Sequence, residues 1–88
     1  MNRIQVILKI NEDLIPGDFF QLLKQVQVFL GKWKEDGILE HLFIRQGKHG
    51  SVLVFKDVDE EKVKELMKLL PVYNFAESIE YLNLVKEF

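Results

Sequence analysis

Hydrophobic and polar positions divide the chain into six segments. Residues 3–10 alternate, with Ile4, Val6, Leu8 and Ile10 on one parity and Arg3, Gln5, Ile7 and Lys9 on the other. Period two with β-branched residues predicts a half-buried strand. Pro16 and Gly17 rule out its regular continuation through 11–17. From residue 18 the spacing changes to three and four: Phe19, Leu22, Leu23, Val26, Phe29, Leu30 and Trp33 form one apolar face. Asp18 is placed to cap this helix, with Gln21 at the third helical position to complete a capping box. Gly31 weakens the last turns by about 1 kcal/mol against Ala, so that end is expected to fray or to allow close packing. Gly37 is a natural stop.

Two β-rich runs follow, 38–45 and 51–56, joined by the polar, glycine-bearing segment 46–50, which predicts a hairpin. Strict alternation sets Ile38, Glu40, Leu42 and Ile44 on one face of the first arm and Leu39, His41, Phe43 and Arg45 on the other. Asp59 caps a second helix, with Val58 and Val63 as a hydrophobic staple and Glu60 and Glu61 in the first turn. Its buried face is Val63, Leu66, Met67 and Leu70, and Pro71 ends it. A loop over 72–77 carries Tyr73 and Phe75, and a last strand over 78–85 carries Ile79, Leu82, Leu84 and Val85.

The order β-α-β-β-α-β in one domain, residues 1–88, predicts a ferredoxin-like α+β fold. Its four strands form an antiparallel sheet with both helices on one face. Both faces of the hairpin arms are rich in apolar residues, whereas a sheet covered on one side shows cleaner alternation. The expectation is therefore a second sheet packed on the bare face, making a dimeric α+β barrel and a homo-oligomer, dimer or higher.

Composition narrows the function. The 88 residues are 48% hydrophobic with a net charge of −2 and no cysteine. Disulfides, thiolate metal sites and cysteine nucleophiles are excluded. Acidic and basic residues are mixed along the chain, so no basic face points to nucleic acid. No run is apolar and long enough for a membrane span, and residues 1–10 lack the apolar stretch of a signal peptide. The expectation is a cytoplasmic protein without nucleic-acid or membrane partners.

An ordered set of residues resembles the muconolactone isomerase-like family. It comprises Trp33 and Gly37 at the end of the first helix, His41-Leu42-Phe43 on a strand, Gly47 in the turn, Val54-Phe55 on the next strand, and Leu70-Pro71-Val72-Tyr73 after the second helix. The resemblance covers about two-thirds of the chain. It implies the dimeric barrel scaffold and a cavity for a small carboxylated or lactone compound. Two departures stand beside it. The family's arginine directly after the strand aromatic falls one place later, at Arg45, and the chain reaches only Phe88, short of the tail that closes a neighbouring subunit's site in such isomerases.

His41 is the candidate acid–base group. A double-bond shift needs one group that removes a proton beside a carbonyl and returns it elsewhere, and an imidazole can do both. The other reading of His41 is a buried histidine satisfied by backbone or by a partner chain. Glu40, adjacent in an alternating strand, is expected on the opposite face. Arg45 shares His41's parity and suits a carboxylate, or a salt bridge between subunits. Trp33, Phe43 and Tyr73 are candidate walls for a flat ligand, with Phe75, and equally ordinary core. His49 is expected in a solvated turn. Ser51 has no histidine–carboxylate pair to activate it. No metal ligand set or cofactor motif is present. Two other readings remain open: an assembly module that buries Leu39, Phe43, Leu53 and Phe55 against another chain, and cofactor-free oxygen chemistry in an apolar cavity.

Overall fold

The computed structural model describes residues 2–15, 17–46 and 50–88. Pro16, Gly47 and His49 lie outside the described residues. The elements are β1 (Asn2–Ile10), α1 (Phe19–Glu35), β2 (Leu39–Ile44), β3 (Gly50–Lys56), α2 (Glu60–Leu69) and β4 (Ala76–Val85). Short 3₁₀ turns, Glu12–Leu14 and Tyr73–Phe75, precede α1 and β4. The strands are antiparallel in the order β2-β3-β1-β4, the ferredoxin-like arrangement.

Both helices bury their apolar faces on one side of the sheet. Ile4, Val6 and Leu8 of β1 and Leu53 and Phe55 of β3 meet Val26 and Trp33 of α1 and Val63, Leu66 and Met67 of α2. The ends of the elements follow local chemistry. The Asp59 carboxylate accepts from the Lys62 amide, as expected of a cap at the third position. Asp18 accepts instead from Phe20, at the second helical position, so its cap differs from the box that Gln21 suggested. Gly37 takes φ +79°, the left-handed conformation that ends a helix. The α1 helix runs unbroken through Gly31, and a Cβ there would meet no heavy atom within 4 Å, so this glycine serves no close packing. β4 starts two residues earlier than expected. Ala76 pairs with Ile10 after a register shift that leaves Glu77 of β4 as the extra residue, and the Asn11 amide donates to the Phe75 carbonyl at 2.8 Å.

One register feature rearranges β2. Leu39 stands opposite Phe55 and His41 opposite Val54, so Glu40 is an extra residue, a β-bulge. The bulge inverts the alternation. Leu39 keeps to the helix face, and beyond the bulge His41 and Phe43 turn to the free face while Leu42 and Ile44 join the helix face. The expected grouping of Leu39 with His41 and Phe43 is thus corrected. The expected contact surface is corrected too: Leu39, Leu53 and Phe55 are buried in the chain's own core, and Phe43 alone of that set is on the free face.

The free face follows from the ladder pairings, since directly opposed residues share a face. Phe43, Val52, Val54, Ile7, Leu82 and Leu84 form its apolar part. Arg3, Gln5, Lys9, Lys56, Glu80 and His41 share the face with them, which makes it more polar than the hairpin arms alone suggested.

Candidate functional site

The bulge brings together the groups with the most chemistry. Arg3, on β1, holds Glu40 across β3 through two hydrogen bonds, Nε to Oε1 at 2.8 Å and Nη2 to Oε2 at 3.1 Å. The Arg3 side chain is 9% exposed and that of Glu40 17%. His41 Nε2 lies 3.7 Å from the same Oε1. Glu40 was expected to face away from His41; the extra residue sets both toward the free face and overturns that expectation. The Arg3 hydrogen bond is the main cause that holds the Glu40 carboxyl below the usual carboxylate range, against the opposing effect of burial. Reciprocally, Glu40 raises the Arg3 pKa from its ordinary value.

His41 stacks on Phe43, with ring centroids 5.9 Å apart. It also lines a cleft of about 360 Å³ at the sheet edge, whose walls are Leu30, Gly31 and Lys34 of α1 and Leu39, Glu40, His41 and Leu42 of β2. Gly31 widens this cleft because it projects no side chain into it. A second cleft of about 280 Å³ lies between α1 and the sheet, lined by residues that include Leu23, Val26, Leu30, Leu42, Ile44 and Ser51. The two share Leu30 and Leu42, one from each wall, so they adjoin.

The remaining expected site residues are dispersed. Trp33 is 4% exposed and packs against Phe29 and Phe55, in the core and outside both clefts. Arg45 follows β2, and its amide donates to the Gly50 carbonyl at 3.0 Å. Tyr73 is half-buried in the 3₁₀ turn before β4 and lines neither cleft; the Tyr81 pKa is raised mainly by burial, with Tyr73 and Glu60 adding to it. Ser51 lines the second cleft, on the helix face opposite Leu8 and Ile44. Arg3, Glu40, Gly31 and Lys34 were not anticipated as site residues. Only the three- and four-residue spacing of Leu30, Gly31 and Lys34, which gives them a common helix side, carried a signal. Among the described residues, no three His, Asp or Glu side chains are grouped to hold a metal ion, and no helix is long and apolar enough to cross a membrane.

No family model matches the chain, and no curated protein does. Among solved structures, the fold is similar to a crystal structure of muconolactone isomerase. The TM-score is 0.76 at 20% identity, with 99% of this chain and 91% of that chain covered. The chain has a muconolactone isomerase-like α+β fold, and at that identity the likeness is one of fold.

Proposed function

We propose that the protein is a homo-oligomeric, cytoplasmic binder of a small carboxylated or lactone compound, with His41 as the acid–base group of an isomerisation. The observation that carries this reading is the placement of His41 at a cleft, beside a carboxylate that Arg3 already holds in place. In such a reaction His41 accepts a proton from the carbon beside a carbonyl and returns it to the far end of the resulting conjugated anion. One proton moves, one double bond shifts, and nothing leaves. Phe43 supports the imidazole by stacking, Lys34 at the cleft supplies a cation for a carboxylate, and Arg45, beyond the end of β2, suits a salt bridge between subunits. Tyr73 is not among the residues that line this cleft. The oligomeric reading is supported by the free face of the sheet, where Phe43 is 57% exposed and Leu82 and Leu84 are 41% and 40% exposed.

The test is a ligand titration followed by amide NMR, in wild type and His41→Ala. Small unsaturated carboxylates and lactones are expected to shift resonances of 39–42 in wild type, and the variant to abolish turnover. A protein that binds none of them loses this reading. The exposed apolar residues of the free face favour a second reading, an assembly module without chemistry. That reading is supported if the protein oligomerises yet leaves the cleft unresponsive to every such compound.

A further inference from the structure

We infer that the groove between α1 and β2 takes an amphipathic carboxylate, with its charged head at Lys34 and a medium-length apolar tail running toward Leu23 and Ile44. This rests on the preceding reading and specifies the class of ligand. The two adjoining clefts differ in character. At one end stand Lys34, Glu40 and His41. Both oxygens of Glu40 are committed to Arg3, whereas Lys34 has no ion-pair partner among the described residues. The uncommitted charge at that end is therefore positive and suits an anion. The other end is walled mainly by apolar side chains, with Gln27 and Ser51 the polar ones among them.

The groove exists because α1 covers β2 only at its start, where Leu39 joins Val26 and Trp33 in the core, and leaves the later part of this edge strand uncovered. Leu42 and Ile44 point to the helix side and are nonetheless 41% and 74% exposed. Apolar groups left uncovered on a core-facing side are what an apolar ligand tail buries. Leu23 and Lys34 are separated by about 16 Å along the helix axis, at 1.5 Å per residue. A short, compact lactone would fill only the polar end.

The experiment titrates the full chain with butanoate, hexanoate, octanoate and octanol, read by amide NMR. Affinity is expected to rise about fourfold per added methylene, the value of a buried CH₂. Shifts are expected to spread from 39–42 to Leu23, Leu30 and Ile44. Octanol is expected to bind at least fivefold more weakly than octanoate, and Lys34→Gln to remove that difference while leaving octanol binding unchanged. Ile44→Lys, a change at an exposed position, is expected to weaken octanoate but not butanoate. Affinity that ignores chain length, with shifts confined to 39–42, overturns this inference and leaves the small-carboxylate reading standing. Shifts that centre on Leu82 and Leu84 also overturn it. If no alkanoate of any length binds, this inference falls, and the preceding reading stands or falls by its own titration with unsaturated carboxylates and lactones.

Discussion

Replacing Trp33 with alanine tests whether this aromatic holds the fold together or faces a ligand. Its ring is 4% exposed and lies 6.3 Å from the Phe29 ring and 5.8 Å from that of Phe55. A buried tryptophan removes about 150–250 Å² from water, which at about 25 cal/mol per Å² is worth about 4–6 kcal/mol. That is an upper bound, because the unfolded chain already buries part of this surface. Truncations of this kind usually cost about 3–5 kcal/mol, and a loss of about 4 kcal/mol is expected here. A small domain has about 5–15 kcal/mol in all, so the variant will be marginal, with a Tm lower by about 15–30 °C. Phe20, also on α1 but 73% exposed, is the control; Phe20→Ala should change stability by no more than about 0.5 kcal/mol. Urea unfolding followed by far-UV circular dichroism measures both, and does not depend on tryptophan fluorescence. A loss below about 1 kcal/mol for Trp33→Ala, or equal losses for the two variants, would refute the core assignment.

Two further outcomes follow from the same geometry. Gly31→Ala should stabilise the protein by about 1 kcal/mol through helix propensity, since nothing lies within 4 Å of the added Cβ; a lower urea midpoint would show that the glycine is needed for packing after all. Glu40→Gln should destabilise at neutral pH and lose that effect in acid. The folded Glu40 pKa is depressed, mainly by its bond to Arg3, so its contribution is fully present above the ordinary value of about 4.3 and is lost as pH falls through the depressed one. A wild-type minus variant difference that stays constant from neutral pH into that acid range would refute the pair.

The parts of the fold legible in the sequence are those set by local periodicity. The three- and four-residue spacing from Phe19 to Trp33, the cap at Asp59 and the left-handed Gly37 each follow from residues close in sequence. The candidate site was legible only in part, because it depends on one residue of register. A bulge residue carries no required side chain, and Glu40 reads as an ordinary member of an alternating strand. Counting through it without the shift groups His41 with Leu39 and sends Glu40 to the other side. Its true partner, Arg3, is 37 positions away and two strands over, a distance that no local pattern bridges. The apolar residues on both sides of β2 were legible, but their cause was not. Leu42 and Ile44 are apolar on the helix side without being covered by a helix, because β2 is an edge strand that α1 covers only at its start, near Leu39. An edge strand with apolar residues on both sides has two surfaces to account for, the free face of the sheet and the groove under α1. His41 stands at the boundary between them, with its ring on the first and a share in the lining of the second. A subunit packed on the free face would therefore adjoin the cleft, so that oligomer formation and ligand binding should depend on one another.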